Sequence, residues 1–520
     1  MKLHLTQALH RALQQHSDDE ATCFAARRQT YRQLYERVAH LAGVLYALGV
    51  RSGERVGLLA LNSDCYFELL LAIWWAGGVV NPVNTRWSVA EIVDSLDDCD
   101  TRVLFIDDAF TPSCATIRGT SSALCTLVHF GEQSVPEGAL RLDDLLLDAR
   151  PMADALRNGG DLAGVFYTGG TTGRPKGVML SHEALVTNSL ISLLAVPFTG
   201  GESLLHSAPL FHLAGLSFAL RGLMNACRQV FLPTFTPDGV LQAVKTQRVS
   251  HLMLVPTMLQ MLVDHPGIHA ADLASVRWVG YGASPISEAL LDRAFALLPE
   301  AEFVQGYGMT ELSAGVSYLT STYHTPEGRK LGKLTTAGRA LAGVDVRIVD
   351  AHGRDVPRGQ VGEVVVRSPC VMQGYWNQAG LTTEVLRAGW LHTGDAARMD
   401  EQGFITIVDR LKDMIVSGGE NVYCAEVENA LAGHCAVAAV AVIGVPSVEW
   451  GEAVHAVVVR NKDAWVEAAE LQAHCRSVIA GYKCPRSIEF VDALPVSGAG
   501  KVMKHTLREP YWRDHDRRVV

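Results

Sequence analysis

Residues 161–177 read DLAGVFYTGGTTGRPKG, a short apolar run followed by a loop rich in glycine and threonine. The loop from Tyr167 to Gly177 contains four glycines, three threonines and one lysine. Glycines let backbone N–H groups approach phosphate oxygens closely, and threonine hydroxyls add further donors. Lys176 supplies a mobile positive charge suited to the β- and γ-phosphates. We therefore interpret this segment as a phosphate loop that follows a buried strand.

The spacing of this loop excludes the Walker A motif, which ends in Gly-Lys-Ser or Gly-Lys-Thr. Here Lys176 stands between Pro175 and Gly177. A Gly/Thr-rich surface turn is the plainer alternative for a motif this short. Ser181 then has the character of an N-cap, with Glu183 in the first turn of the helix that it begins.

The composition of the whole chain is that of a globular protein with more than one domain. Its 520 residues are too many for one ordinary hydrophobic core. Hydrophobic residues make up 48% and charged residues 19%, which excludes a disordered chain. The formal net charge of -10 argues against a nucleic-acid-binding protein, which needs a basic surface, and against constitutive binding to anionic lipid.

Targeting and redox features favour the cytoplasm. The N-terminal residues lack the continuous apolar segment of a secretory signal. The longest apolar run, Leu69–Val80, is too short to span a bilayer and carries Gly77 and Gly78, so we expect a buried core segment. The eleven cysteines form no CxxC pair, and we expect free thiols in a reducing compartment, with neither a disulfide nor a structural zinc.

The pattern of elements changes twice along the chain and predicts an α/β fold with two domains. Up to about residue 330, apolar strands alternate with helices, which predicts mostly parallel sheets. Strands dominate from about Val344 to Val408 and predict an antiparallel or barrel-like layer. We therefore predict a large N-terminal domain (1–409) of α/β subdomains plus a β-rich subdomain. A small, mobile α+β C-terminal domain (410–520) follows, joined by a hinge near Asp409–Asp413.

Further motifs carry residues suited to nucleotide chemistry, although each is weak in isolation. They are YGASP at Tyr281–Pro285, QGYGMTE at Gln305–Glu311, GWLHTGD ending at Asp395, VDRLKD around Arg410, and LPVSGAGKVMK around Lys501. A strand-ending turn, a helix cap or a solvated surface charge is the plainer reading of each one. A glutamate can hold Mg²⁺ against phosphate oxygens, and an aspartate can accept hydrogen bonds from ribose hydroxyls.

Taken in order, these motifs resemble the adenylate-forming (AMP-binding) enzyme superfamily, over nearly the whole chain. The family includes acyl-CoA synthetases, nonribosomal-peptide adenylation domains and firefly luciferases, and the run DRLKDMIVSGGENVY is most similar to bacterial fatty-acid–CoA ligases. One departure concerns the phosphate loop, because the family usually carries a serine where this chain has Gly169. Backbone N–H groups remain there, and we expect Thr168, Thr171 and Thr172 to share the work of the missing hydroxyl.

The resemblance implies a role for each motif residue. The residues implied to bind ATP or CoA are Thr168, Gly169, Gly170, Thr171, Thr172, Gly173, Lys176, Gly282, Ala283, Ser284, Gln305, Gly306, Tyr307, Gly308, Asp395, Arg410, Gly418 and Gly419. Thr310 is implied to contact the α-phosphate and Glu311 to bind Mg²⁺. Lys501 is implied to be the catalytic lysine between carboxylate and α-phosphate. His212 is implied to gate the acyl site from the thiol tunnel, and Lys412 to be the hinge residue.

The reaction implied is the ATP-dependent joining of a carboxylic acid to CoA through an acyl-adenylate, with ATP, Mg²⁺ and CoA as cofactors. The apolar segment Ser207–Leu220, with Phe218, Tyr281, Ala314 and Val316 near it, favours an apolar, fatty-acid-like substrate over amino acids or dicarboxylates. The alternatives are a CoA ligase for an aromatic or alicyclic acid, an acyl-AMP ligase that loads a separate carrier protein, and a non-catalytic homologue. The sequence also leaves a homodimer open.

Overall fold

A computed structural model of the chain describes residues 3–168, 175–284, 286–411, 413–418, 420–462, 464–497 and 501–513. Seven of the candidate site and hinge residues lie outside these ranges: Gly169, Gly170, Thr171, Thr172, Gly173, Lys412 and Gly419. The two ends of the phosphate loop, Thr168 and Lys176, are described and stand opposite each other on paired strands.

The strands, in chain order, are β1 Glu20–Phe24, β2 Arg27–Thr30, β3 Arg55–Leu59, β4 Val79–Pro82, β5 Val103–Ile106, β6 Thr126–His129, β7 Leu140–Arg141, β8 Leu162–Thr168, β9 Lys176–Ser181, β10 Ser203–His206, β11 Arg228–Phe231, β12 His251–Leu254, β13 Trp278–Gly282, β14 Glu302–Met309, β15 Ala314–Leu319, β16 Arg339–Ala340, β17 Asp345–Val349, β18 Val361–Arg367, β19 Gly374–Tyr375, β20 Leu386–Arg387, β21 Trp390–Met399, β22 Ile405–Arg410, β23 Ile415–Ser417, β24 Glu420–Val422, β25 Val437–Ser447, β26 Gly451–Arg460 and β27 Ser487–Phe490.

The helices, in chain order, are α1 Gln7–His16, α2 Tyr31–Ala47, α3 Asp64–Trp75, α4 Val89–Asp98, α5 Cys114–Thr120, α6 Leu142–Asp148, α7 His182–Ala195, α8 Leu213–Met224, α9 Pro237–Gln247, α10 Pro256–Val263, α11 Glu288–Leu297, α12 Pro326–Arg329, α13 Ala379–Val385, α14 Cys424–Ala432, α15 Ala468–Val478 and α16 Lys504–Trp512. Ser181 caps α7 as expected, because its hydroxyl accepts the Ala184 N–H at 3.1 Å.

Two large sheets form the N-terminal part of the chain. A 9-stranded sheet has the order β16-β15-β14-β13-β12-β10-β11-β1-β2, and an 8-stranded sheet has the order β19-β9-β8-β4-β3-β5-β6-β7. The interior strands run parallel, while β15, β16 and β2 in the first sheet and β9 and β19 in the second are antiparallel to their neighbours. The α/β fold with mostly parallel sheets is therefore confirmed.

The expected β-rich layer is a 5-stranded antiparallel sheet in the order β17-β18-β21-β20, with β22 paired to β21. Its strand β18 spans Val361–Arg367, with three consecutive valines that are buried. Val364 and Val366 are fully buried in the main core.

The C-terminal unit has its own sheet and its own core. The sheet has the order β24-β23-β26-β25, with β27 beside β26, and α14 and α15 contribute Val427, Leu431, Leu471 and Cys475 to a separate apolar cluster. The chain passes from β22 of the preceding sheet to β23 of this one within residues 411–414. This agrees with the small α+β unit expected from the sequence.

The long apolar run is part of the core. It forms the second half of α3, a turn at Gly77, and β4, and every large side chain from Leu69 to Trp75 is buried. Within the described ranges, no helix is both long and apolar enough to cross a membrane.

Candidate active site

Two glycines bring the end of β13 into close contact with the middle of β14. Gly282 and Gly306 are paired across these parallel strands, and a Cβ atom added to Gly282 would lie 2.1 Å from the Gly306 carbonyl oxygen. Ala283 follows with a positive φ of 68°, which turns the chain away from the sheet. At this pair the two strands therefore present a flat backbone surface that a side chain at Gly282 would abolish.

Gln305 presents an unpaired acceptor beside this surface. It lies in β14, next to Gly306, and its Oε1 atom is buried with no hydrogen-bond partner among the described residues. A buried amide oxygen is rarely left unpaired in a folded protein, so this atom is suited to accept a hydrogen bond from a ligand amino group. The amino group of an adenine base fits that requirement.

The turn after β14 places Thr310 and Glu311. A Cβ atom at Gly308 would lie 1.8 Å from the Ala314 carbonyl oxygen, so the chain can fold back only with glycine there. Thr310 begins a single 3-10 turn, and Ser313 closes it with a positive φ of 61°. Glu311 is buried by this turn.

Tyr375 links the charged residues of two separate motifs. Its hydroxyl donates a hydrogen bond of 2.8 Å to Glu311 Oε1, and the Lys176 Nζ lies 5.5 Å from the centre of its ring. Burial and the Glu311 charge raise the pKa of the Tyr375 phenol, so the phenol keeps its proton and remains the donor. Tyr375 thus orients Glu311 beside the lysine of the phosphate loop.

The sequence reasoning missed Tyr375. The only local signal is a pair of aromatic residues, Tyr375 and Trp376, after Gly374. Its role depends on the pairing of the two-residue strand β19 with β9, which sets Tyr375 opposite Val178. A strand this short gives no periodic pattern that could be recognised in a sequence.

Asp395 and Arg410 form the next part of the site. They stand opposite each other on β21 and β22, with Arg410 Nε 3.3 Å from Asp395 Oδ1. The Tyr307 hydroxyl donates a hydrogen bond of 2.7 Å to the other carboxylate oxygen, Oδ2. Asp395 is buried, and each of its oxygens can accept one more hydrogen bond, because an ionised carboxylate has about four acceptor positions.

Lys501 lies beside a β-bridge of the C-terminal unit that contacts the N-terminal part. Val496 and Val502 are bridged, and the Ser497 N–H donates to the Lys501 carbonyl oxygen at 2.7 Å. Arg86 of the N-terminal part donates from Nη1 to the Ser497 carbonyl oxygen at 3.2 Å. This hydrogen bond joins residues that are 411 positions apart in the chain.

The charges of three other motifs act on the Lys501 ammonium group. Desolvation and the Arg410 charge lower the pKa of Lys501, while Asp395 and Glu311 act in the opposite direction. The charges of Glu311, Asp395 and Arg410 therefore reach the Lys501 ammonium group, although the four residues come from distant segments. The structure brings together the cation and the two carboxylates that the sequence motifs single out.

Two candidate residues lie apart from this group. His212 is the N-cap residue of α8, with its ring 4.3 Å from that of Phe211. Gly418 lies in the turn between β23 and β24, and its N–H donates to the Trp450 carbonyl oxygen at 2.9 Å. A Cβ atom at Gly418 would lie 2.7 Å from the Trp450 ring, so glycine allows the indole to pack against the turn.

Phe218 and Tyr281, both expected to line the acyl pocket, lie on opposite faces of the 9-stranded sheet. Phe218 stacks on Trp278, with ring centres 5.8 Å apart and planes inclined by 13°. Trp278 alternates with Tyr281 along β13, so Tyr281 faces the other side, where its hydroxyl is 2.8 Å from His324 Nε2. The expectation that Tyr281 lines the same pocket as Phe218 is therefore wrong, because strand alternation puts them on opposite faces. Val316 is fully buried in the main core.

Comparison with known families matches most of the chain. The family described as AMP-binding enzyme matches residues 9–376, and the AMP-binding enzyme C-terminal domain matches residues 426–501. The two matched segments leave between them the end of the β-rich layer and the connection at 411–414.

Individual proteins agree with this assignment. The chain is 41% identical to feruloyl-CoA synthase of Amycolatopsis sp over 93% of this chain and 94% of that protein. It is 35% identical to medium/long-chain-fatty-acid–CoA ligase FadD8 of Mycobacterium tuberculosis over 98% of this chain and 90% of that protein.

Among solved structures, the crystal structure of ATP-bound MatB from Rhodopseudomonas palustris superimposes with a TM-score of 0.89 at 33% identity, covering 99% of both chains. Family membership implies ATP and CoA as the nucleotide and the thiol of the reaction. The chain belongs to the AMP-binding enzyme family, and it is an AMP-forming acid–thiol ligase of the acyl-CoA synthetase type.

Proposed function

We propose that this protein joins CoA to a compact acid with an aromatic or alicyclic body. In the first half-reaction, a substrate carboxylate oxygen attacks the α-phosphorus of ATP, and pyrophosphate leaves. In the second, the sulfur of CoA attacks the acyl carbon, the thiol proton is released and AMP leaves. The convergence of Lys501 with Glu311, Asp395 and Arg410 is the observation that carries the proposal.

Lys501 is the residue to which we assign stabilisation of the first half-reaction. Negative charge builds up on the α-phosphate oxygens as the carboxylate oxygen approaches. A preorganised ammonium group that is shielded from water stabilises that charge more strongly than solvent does. The bridge between Val496 and Val502 and the Arg86 contact with Ser497 support this assignment, because they would restrain Lys501 near the α-phosphate.

We assign the nucleotide to the surface formed by Gly282, Ala283 and Ser284, with Gln305 and Tyr307 beside it. The unpaired Gln305 Oε1 supports an adenine amino group as its partner. Asp395 would accept the ribose hydroxyls, since Tyr307 and Arg410 already orient its carboxylate. Gly306 and Gly308 supply the close backbone approach, while Thr168, Lys176 and Thr310 would contact the phosphates.

Glu311 is the residue that would hold Mg²⁺. A single buried carboxylate, oriented by the Tyr375 hydroxyl, suits an ion that takes its other ligands from phosphate oxygens and water. When bound, Mg²⁺ offsets phosphate charge and favours pyrophosphate departure. Within the described ranges no group of three or more His, Cys, Asp or Glu residues could hold a metal by itself.

We place the acyl site between α8 and the face of β13 that carries Gly280 and Gly282. The stacked rings of Phe218 and Trp278 fill the space at the end away from the nucleotide. A long alkyl chain would have to displace these two fully packed rings, whereas a single ring would leave them in place. This favours the aromatic or alicyclic alternative over the fatty-acid-like substrate, as does the similarity to feruloyl-CoA synthase.

For the second half-reaction, we propose that residues 410–520 move as a unit about the connection near Asp409–Asp413. Gly418 and Gly419 would then border the thiol tunnel, and His212 would gate it from the acyl site. The separate core of the C-terminal unit supports motion as one body. A cytoplasmic location and a homodimer stay predictions, which fractionation and light scattering would test.

A panel of acids tests the function directly. Purified protein is incubated with ATP, Mg²⁺, CoA and one acid from a short-chain, long-chain, cinnamic, benzoic or alicyclic series, and AMP is measured. We expect AMP release with a cinnamic or alicyclic acid and a strict need for CoA. AMP release that depends on a carrier protein instead of CoA would support the acyl-AMP ligase alternative. Lack of turnover with every acid would contradict the proposal.

A further inference from the structure

An arginine is buried within the apolar segment next to the proposed acyl site. Arg221 lies on α8, three residues after Phe218, and only 1% of its surface is exposed. Its Nη2 donates a long hydrogen bond of 3.4 Å to the Val196 carbonyl oxygen, and its Nε has no hydrogen-bond partner among the described residues. A buried guanidinium group normally pairs with a carboxylate, because burial removes its hydration.

The surroundings of Arg221 supply rings but no carboxylate. Its guanidinium carbon lies 4.1 Å from the centre of the Phe198 ring and 5.6 Å from that of Trp278. The acidic residue of this region, Glu202, is 3.4 Å from His251 and accepts the Thr199 N–H at 2.8 Å. No ion pair between Arg221 and an acidic side chain occurs in the part of the chain that the structure describes. Cation–π contacts stabilise a guanidinium group but leave its N–H donors unpaired.

Trp278 adds a second unpaired donor at the same place. Its Nε1–H is buried and lacks a hydrogen-bond partner among the described residues. An indole nitrogen and a guanidinium nitrogen can only donate, so both require an acceptor. Two neighbouring donors without an acceptor form a site for an oxygen atom of a ligand.

This pair of donors lies at the far end of the proposed acyl site. Trp278, Gly280 and Gly282 share one face of β13, and a Cβ atom at Gly280 would lie 2.2 Å from the Trp278 ring. The indole therefore extends along β13 towards the nucleotide surface at Gly282. Four residues of strand span roughly 13 Å, and the indole covers the middle of this span at Gly280, so a substrate ring would lie between the indole and Gly282.

We propose that Arg221 and the Trp278 Nε1–H bind an oxygen substituent on the ring of an aromatic carboxylic acid, at the end opposite the reacting carboxylate. The inference rests on the proposed function and names its substrate class. The apolar segment Ser207–Leu220 ends one residue before Arg221, so its composition alone does not indicate a charged group at the acyl site. A ring oxygen satisfies both donors, whereas an apolar ring would leave both unpaired.

Matched acids test this proposal. Cinnamic acids carrying a 4-hydroxy, 4-methoxy or 4-carboxy group are compared with 4-methylcinnamic acid, which has a similar size and no acceptor. We expect kcat/KM for the preferred oxygenated acid to exceed that of the methyl acid by at least about 10-fold, because a site with unpaired donors rejects an analogue that lacks the acceptor. The three substituents distinguish a phenol, an ether and a carboxylate as the oxygen source.

Two variants test whether Arg221 and Trp278 cause the preference for oxygenated acids. Arg221→Met is expected to reduce the ratio of kcat/KM between oxygenated and methyl acids to within about 3-fold, and Trp278→Phe is expected to lower it partially, because each removes donors. Arg102→Met, at an exposed surface position, is the matched control and should keep the wild-type ratio. Trp278→Phe retains an aromatic ring and so keeps the test valid if Arg221→Met does not fold.

The outcomes separate this inference from the proposed function. A wild-type preference for the methyl acid would overturn the role of Arg221, as would variants that lower kcat/KM for all the acids by the same factor. The second result would mean that Arg221 only supports the fold. If neither the cinnamic acids nor the wider panel of acids yields CoA-dependent AMP, the proposed function itself fails.

Discussion

The phenol of Tyr375 donates a 2.8 Å hydrogen bond to the carboxylate of Glu311, while its ring lies 5.5 Å from the ammonium nitrogen of Lys176. One side chain therefore touches both the proposed metal ligand and the lysine that ends the phosphate loop. Glu311 is buried, so the orientation of its carboxylate depends on such partners. Tyr375 therefore links Lys176 to the turn after β14, as the proposed single site requires.

Removing the Tyr375 hydroxyl should lower the catalytic efficiency with ATP and raise the Mg²⁺ concentration that the enzyme needs. Tyr375→Phe keeps the ring but leaves Glu311 Oε1 without its donor, and we expect kcat/KM for ATP to fall roughly 10-fold, as for loss of a hydrogen bond to a charged group. The Mg²⁺ concentration for half-maximal rate should rise. Initial rates over a matrix of ATP and Mg²⁺ concentrations measure both effects.

The control for this variant is Tyr66→Phe, because the Tyr66 hydroxyl is buried without a hydrogen-bond partner among the described residues. Its removal should be close to neutral. Wild-type kinetics for Tyr375→Phe over the whole Mg²⁺ range would show that the Tyr375–Glu311 contact has no part in ATP use.

Arg86 should matter for one half-reaction only. It donates to the Ser497 carbonyl oxygen and so would restrain the bridged segment that carries Lys501. Arg86→Ala is expected to slow acid-dependent pyrophosphate exchange about 3- to 10-fold, the effect of one hydrogen bond of roughly 0.5–1.5 kcal/mol. Thioester formation from preformed acyl-AMP should change little, since we assign it to another position of the C-terminal unit.

Arg102→Ala serves as the control for charge alone, because Arg102 is exposed. Equal losses in both half-reactions for Arg86→Ala would mean that Arg86 supports the fold generally, and would contradict a role in restraining the segment that carries Lys501.

Gly282→Ala should damage the nucleotide surface. The added Cβ atom would meet the Gly306 carbonyl oxygen at 2.1 Å, so β13 and β14 must separate. We expect the dissociation constant of ATP to rise by more than about 10-fold and the free energy of unfolding to fall by roughly 2–4 kcal/mol, as for strain at a special backbone position. Calorimetric titration and chemical denaturation provide the two measurements.

Gly119→Ala offers a matched comparison. Gly119 lies in α5 with no atom within 4 Å of its added Cβ, so the change should stabilise the protein by about 0.5–1 kcal/mol. If Gly282→Ala binds ATP as tightly as the Gly119→Ala protein, the nucleotide does not use the β13–β14 surface.

The fall in the adenylation rate at high pH should follow the loss of the proton from the Lys501 ammonium group. Its charged form exists only below its pKa, which burial and the Arg410 charge lower. The rate of pyrophosphate exchange should therefore fall as pH rises, at a lower pH than the ordinary lysine value of about 10.4. Lys501→Arg should move this limit to higher pH, since arginine stays charged. A pH limit that is identical for lysine and arginine at this position would assign it to another group.

Local patterns predict much of this fold. A short run rich in valine between glycine- or proline-containing turns locates β18 at Val361–Arg367, and the Ser181 hydroxyl marks the start of α7. Both features depend on neighbouring residues, so a single sequence contains them. The order of the strands and their register depend on contacts between distant segments, and a local pattern does not encode them.

In the candidate site, too, the motifs identify individual residues, whereas the contacts between them depend on the fold. Glu311, Asp395, Arg410 and Lys501 can be selected from motifs, yet the opposition of Asp395 and Arg410 requires the register of β21 and β22. Tyr375 is not predicted from the sequence, because its strand has only two residues and shows no periodic pattern. Tyr281 is assigned to the wrong face because its motif alone does not tell which strand residues point towards α8.

The contribution of Lys501 to adenylation is the central claim, and Lys501→Ala measured in the two half-reactions tests it most directly. Acid-dependent exchange of labelled pyrophosphate into ATP reports adenylation, and CoA consumption with preformed acyl-AMP reports thioester formation, with Lys330→Ala as an exposed control. We predict that exchange falls by about 100-fold or more, as for loss of a transition-state charge contact, while thioester formation changes far less. Exchange at the wild-type rate in Lys501→Ala would contradict the account.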